Sequence, residues 1–497
     1  MGRKLPIFYS ALLLTGVNLL LRFVSTSFQV CLSGKLGPEG VGLLQLVMSV
    51  GGLAMTAGMA GIRTATMYLT AEELGKGRGQ NVPRALRSCF HYSLSCSLCI
   101  GLLLWFAAPF LAEKWIGNRQ TADAIRLFAL FLPVVCLCGC MTGCFTAENR
   151  IGTLALVEIF EQLCYMAVTM TALGLWAGAD PAKACCCVVL GSGVSAGVTF
   201  VCLICIHRRG KPSPAPPFPI VKRLLATALP LALADDLKVG LNTLENLMVP
   251  RRLGLYAGES SPLGAFGMVC GMVFPVLMFP AALLFALAEL LIPELARCNA
   301  AGSRRRIQYL AARSLKLSLL YGCLWGGLLF LTAAPLCQRL YGSAQAGRML
   351  GLYSLLAPML YCDAIVDAMN KGLGQQKRCV RNNILTAGMD LLFLYLLLPK
   401  YGMSGYFISF FVTHLVNFLL SLGLLLKTAG IRIPFYIPAL TLSSALAAGL
   451  AATFLAAPLV RIGSFLALYG SLLTLFQVVS RQDLRWAKQL TALPLSR

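Results

Sequence analysis

The chain has 497 residues, of which 58% are hydrophobic and only 12% charged. A soluble protein of that size has no interior able to hide so much apolar surface, and disorder requires low hydrophobicity, so both are excluded in favour of a polytopic membrane protein. The net charge of +23 comes from short basic clusters between apolar stretches; a nucleic-acid surface needs a continuous stripe, whereas separated clusters set topology and touch anionic lipid headgroups.

A helical crossing takes about 20 apolar residues, and non-helical backbone is costly in lipid. The expected class is therefore an all-α polytopic membrane protein with about 14 transmembrane helices. Their approximate places are 6–30, 41–69, 87–110, 123–145, 152–176 and 184–206, then 221–249, 264–291, 308–331, 348–368, 382–399 and 402–426, then 435–457 and 460–480. The count falls to 12 if two weak spans do not cross. The first apolar stretch follows Arg3 and Lys4 and is kept as a helix, because no small-residue cleavage site leads into a polar mature domain.

Span one carries Arg22 at a depth that snorkelling does not reach. Span two carries Arg63 after Gly58 and Gly61, small residues that allow close packing beside a cavity. Guanidinium forks match phosphate oxygens, so two such arginines on a central aqueous cavity suit a phosphorylated substrate; a structural ion pair or a headgroup contact is the plainer reading. Span four holds Cys136, Cys138, Cys140 and Cys144, and span six holds Cys185, Cys186 and Cys187. Cysteine inside apolar runs reads as a small buried side chain, and the CxxC spacings Cys96–Cys99 and Cys202–Cys205 fall in such runs too. No metal site and no cofactor are expected. Glu158 and Glu161 lie one turn apart on span five.

After span six comes the segment His207 to Pro219, whose prolines forbid a helix. It reads as a cytoplasmic linker, 207–219, between two six-helix lobes, 1–206 and 220–430, with two accessory helices and a basic tail in 431–497. Span seven is polar along one broad face, through Asp235, Lys238, Asn242, Glu245 and Asn246, with Asp236 beside it. Such a helix faces water or protein, which makes Lys238, Asn242 and Glu245 substrate-binding candidates; a packing network is the alternative. Gly271, Pro275 and Pro280 interrupt span eight, as a hinge or as a static kink. Asp363 and Asp367 are four apart on span ten, and Asp390 lies in span eleven. Paired carboxylates bind a cation or exchange protons, so Asp235, Asp236, Glu158, Glu161, Asp363 and Asp367 are candidates for coupling to H+ or Na+. They could equally neutralise cavity arginines.

With both termini inside, inner loops and tails hold about three times as many Lys and Arg as outer loops, which predicts a bacterial cytoplasmic membrane protein with both ends cytoplasmic. There is no Walker A sequence, no HExxH, no potassium-filter loop and no extramembrane stretch long enough for a catalytic domain. Transport is expected, not enzymatic catalysis.

The segment Leu36-Gly37-Pro38-Glu39-Gly40-Val41-Gly42-Leu43-Leu44-Gln45 resembles the signature after the first helix of bacterial polysaccharide flippases. Ala60-Gly61-Ile62 with Glu72 and Glu73, Val249 to Leu253, Leu291 to Leu295 and Gly372 to Gln375 fit the same family in order and spacing. Over roughly residues 6–480 the chain is similar to the stage V sporulation protein B branch, related to the lipid II flippases, in the multidrug, oligosaccharidyl-lipid and polysaccharide exporter superfamily. The resemblance implies two six-helix lobes around a central cavity, two C-terminal helices, and alternating access that moves an undecaprenyl-diphosphate-linked saccharide outward for peptidoglycan, spore cortex or polysaccharide. Arg22 matches an arginine of the first helix in the lipid II flippases, which carry an Arg-Asp pair where Phe28 and Gln29 stand here. Anionic lipids and envelope-synthesis enzymes are the expected partners, with no nucleic acid, and the chain is expected to be a monomer. The competing readings are a cation-coupled multidrug or metabolite antiporter and a non-transporting membrane scaffold for envelope synthesis.

Overall fold

The computed structural model describes residues 7–479 except 77–78, 149, 179, 208–219, 432–433, 435 and 456, and leaves out the side chains at 7–15, 17–18, 151, 220–231 and 233–235. Nearly all of the expected linker, the basic tail and the Asp235 side chain therefore lie outside the described residues. Regular structure among the described residues is entirely helical. The helices are α1 Ile7–Met59, α2 Ile62–Gly75, α3 Val82–Phe110, α4 Ala122–Ala147, α5 Ile151–Ala172, α6 Pro181–Ile206, α7 Ile220–Leu253, α8 Pro262–Gly267, α9 Phe274–Met278, α10 Ala282–Ala300, α11 Arg304–Tyr341, α12 Ala344–Ser354, α13 Ala357–Gly372, α14 Gln376–Ala429, α15 Tyr436–Thr453 and α16 Pro458–Leu475. Among the described residues, 9 helical segments are long and apolar enough to cross a bilayer, or 11 when each of two bent helix pairs counts as one crossing. The molecule is an all-α polytopic membrane protein.

Two compact units are present: Met1–Met272 with Ala387–Ser409, and Val273–Thr386 with Phe410–Arg497. In the first unit α1 packs on α3, α4, α5, α6, α7 and α8. Small residues at a spacing of four make close packing possible without a hydrophobic drive between helices. On α3 the buried stripe is Cys89, Ser93, Ser97 and Gly101. On α4 it includes Cys136, Cys140 and Cys144, each small enough for such packing. The opposite face of α3 shows Leu103 at 68% and Phe106 at 78% exposure, a surface that only lipid solvates well. Helix α1 breaks at Gly37, whose φ of 68° and ψ of 173° lie outside helical space. Pro38 then restarts the helix, as proline does well at a first turn, and Glu39 accepts a hydrogen bond from Ser261 Oγ just ahead of α8.

In the second unit α11 buries Ser314, Ser318, Gly322 and Gly326 at the same spacing and packs on α12, α13, α15 and α16. The proline-bearing break between α9 and α10 is closed by hydroxyls. Tyr361 Oη donates to the Leu277 carbonyl at 2.6 Å, and Tyr321 Oη to the Pro280 carbonyl at 2.8 Å. Backbone acceptors so capped favour the static kink over a hinge. Helices α15 and α16 share a core of Ala448, Ala452, Phe465 and Tyr469, and Tyr469 Oη reaches the Leu320 carbonyl of α11 at 3.2 Å.

Candidate functional site

The first unit holds two polar groups. One forms where the chain breaks between α1 and α2. Ala60 has φ 43° and Gly61 φ 71°, and a non-glycine residue in that region is a local strain of order 1–3 kcal/mol. Helix α2 starts at Ile62, which puts Arg63 in its first turn, on the end where the helix dipole disfavours a cation. Two carboxylates from α5 offset this: Glu158 and Glu161 both interact electrostatically with Arg63. Gly143 of α4 sets the depth of α2, because a Cβ there would collide with the Arg63 carbonyl oxygen. On the other side of the break, Tyr92 Oη donates to the Ala60 carbonyl at 3.4 Å. Asp236 of α7 lies within Coulombic reach of that tyrosine. Arg63, Glu158, Glu161 and Asp236 are thereby gathered around one broken crossing. Tyr92 was not singled out from the sequence, where a tyrosine in an apolar helix carries no distinguishing signal.

The second group joins α7 to α14. Glu245 meets Asp390 in hydrogen-bond contact, and Asp390, only 6% exposed, accepts from Ser409 Oγ at 2.6 Å. Cys270 stands beside Glu245 and lies 4.0 Å from Tyr406 Oη. A hydrogen bond between two carboxyl groups requires a proton between them, and a small cation can take the proton's place. Elsewhere on the polar face of α7, Thr243 Oγ1 and Asn246 Nδ2 are committed to Ser49 of α1 at 3.2 and 2.9 Å. Lys238 and Asn242 remain exposed. Arg22 is exposed on the first half of α1 and engages a neighbour there.

The second unit carries Asp363 and Asp367 on α13. Asp367 is ion-paired with Lys371 at 2.6 Å, and Asp363 accepts from Asn417 Nδ2 of α14 at 3.3 Å. The same unit contains an apolar groove of about 710 Å³ between α11, α13, the end of α14 and α15. Leu319, Pro358, Phe418, Leu422 and Ile437 give its walls their character, and Arg313 and Lys316 of α11 border it. Arg313 lies 5.7 Å from the Tyr309 ring centroid.

A family model described as MatE matches residues 15–174. The chain is 22% identical to stage V sporulation protein B of Bacillus subtilis (strain 168) over 407 residues, covering 79% of this chain and 78% of that protein. A structure of the lipid II flippase MurJ in an inward closed conformation superposes with a TM-score of 0.72 at 13% identity, over 94% of this chain and 98% of that one. An inward-facing multidrug resistance MATE family transporter of the MOP superfamily superposes at 0.65 with 14% identity, over 84% and 97%.

Proposed function

We propose, from the MatE match over residues 15–174 and the similarity to stage V sporulation protein B and to the lipid II flippase fold, that the chain is a transporter of the MatE/MOP superfamily and works as an alternating-access flippase for polyprenyl-diphosphate-linked saccharides of the cell envelope. The observation that carries this reading is the apolar groove of about 710 Å³ bordered by Arg313 and Lys316. A long isoprenoid chain is solvated by such walls, and an anionic headgroup is held at a basic border. A soluble organic cation would be repelled there.

Fourteen crossings follow if α1 and α14 each make two, divided at Gly37 and Gly402, and α7 joins the 11 counted above. We take them as two six-helix lobes with α15 and α16 accessory, in the cytoplasmic membrane with both ends inside. Arg313 and Lys316 are assigned to the headgroup at the groove, and Arg22, Arg63, Lys238 and Asn242 of the first unit stay as candidates for a separate headgroup contact. Glu245 with Asp390 is assigned to the coupling cation, with Asp236, Glu158, Glu161, Asp363 and Asp367 as charge partners. The Glu245–Asp390 pair suits H+ or Na+ coupling under either the flippase or the cation-antiporter reading and does not decide between them. Reconstitution into proteoliposomes separates them. Movement of lipid II or of a simpler undecaprenyl diphosphate sugar supports the flippase. Movement of organic cations alone supports the antiporter, and movement of neither leaves the scaffold.

A further inference from the structure

We propose that Cys144, Glu148 and His207 form a binding site for a transition-metal ion of the zinc type. Cys144 and Glu148 are four apart at the end of α4 and so share a face. His207 closes α6 and is brought to them from across the bundle. Cys144 Sγ lies 3.8 Å from Glu148 Oε1, His207 Nδ1 lies 4.0 Å from the same oxygen, and the three ligand atoms are all within 4.8 Å of one another. Bonds of about 2.3 Å to sulfur and 2.0–2.2 Å to nitrogen and oxygen require only a small inward movement of each side chain.

Independent features of the site favour a cation. The His207 Nδ1 atom is buried without a hydrogen-bond partner, and the Cys144 thiol is fully buried beside the Thr70 hydroxyl. Two helix C-termini converge, and both present the negative end of their dipoles. Arg150 approaches Glu148 Oε2 at 3.6 Å, which leaves Oε1 toward the thiol and the imidazole. The same arginine lies over the Phe145 ring at 4.6 Å, and that ring is 6.1 Å from His207. Glu148 at 22% and His207 at 12% side-chain exposure leave a side from which water can supply a fourth ligand. A thiolate and a carboxylate balance a divalent charge, and sulfur with imidazole selects zinc or cobalt over magnesium or calcium. The bound ion would tie the exit of α6 to the end of α4, where the chain passes into 208–219. Neither the transport reading nor the topology is needed for this site.

The test uses the full chain in detergent, without a polyhistidine tag, stripped with chelator and titrated with Co2+ alone. One equivalent should bind with thiolate-to-cobalt charge-transfer absorption. Cys144→Ser should abolish that absorption, His207→Gln should weaken Co2+ and Zn2+ binding by at least about tenfold, and Cys99→Ser on the exposed face of α3 should change neither. Zn2+ should raise the melting temperature of the wild type and not of Cys144→Ser. Absence of the band in the wild type, or its survival in Cys144→Ser, overturns the site. If Cys144→Ser does not fold, His207→Gln at the partly exposed helix end decides: unchanged affinity overturns the site as well.

Discussion

Arg63 and Glu245 show what a charge on an apolar helix means once its neighbours are known. From sequence, Arg63 is an intramembrane cation of open purpose; in the fold it opens α2 with Glu158 and Glu161 facing it. Arg63→Ala should lower the melting temperature, and adding Glu158→Gln should recover part of the loss, with a coupling of about 0.5–1 kcal/mol because the guanidinium is solvent-accessible and screened. Strictly additive effects would mean that the glutamates do not hold Arg63. Glu245 behaves differently, because its partner is another carboxyl. Glu245→Gln keeps a donor toward Asp390, so stability should stay within about 0.5 kcal/mol while the cation dependence of transport in proteoliposomes disappears. An intact cation dependence would remove the pair from coupling. Cys144, Glu148 and His207 show the limit of reading along a chain: the first two are one turn apart, but nothing local connects them to a histidine on another helix.

The breaks inside α1, between α1 and α2 and between α9 and α10 decide how much of the architecture was legible at the level of elements. Apolar length alone places most helices, because lipid leaves the backbone no alternative to intrahelical pairing. The Gly37-Pro38 step at 37–38 marks a boundary through chemistry visible in sequence: glycine reaches φ 68° freely and proline starts a helix. Gly37→Ala should therefore destabilise the protein by about 1–2 kcal/mol, read as a lower melting temperature in detergent. An unchanged value would show that the step relaxes to ordinary helix. The strained Ala60 is less legible, since its φ of 43° is imposed by packing of Tyr92 and α2 and not by a residue that prefers it. The α9–α10 break was legible from its prolines, but its hydroxyl caps were not, because Tyr321 and Tyr361 come from α11 and α13.

For the whole molecule, the proposed flippase cycle makes the charge moved per cycle the decisive quantity. A diphosphate headgroup is anionic, and basic residues that stay in the protein do not cancel its displacement. Moving one elementary charge through 100 mV changes the free energy by about 2.3 kcal/mol, up to about 50-fold in a rate if the full charge crosses in the limiting step. The sign follows from electrostatics. An anion leaving a negative compartment moves downhill, and a proton or Na+ returning to that compartment through Glu245 and Asp390 moves downhill too. Flipping in proteoliposomes should therefore accelerate when the compartment that supplies the headgroup is made negative by a potassium diffusion potential, and should slow when the potential is reversed. Arg22→Ala should depress the rate at every potential if that exposed arginine grips the headgroup, since it removes binding and leaves the moved charge unchanged. A rate indifferent to potential, with no net current accompanying flipping, would mean that a counter-ion travels with the headgroup and neutralises it, and the coupling assigned to the carboxyl pair would then have to be withdrawn; an indifferent rate with a current would place the charge movement outside the limiting step.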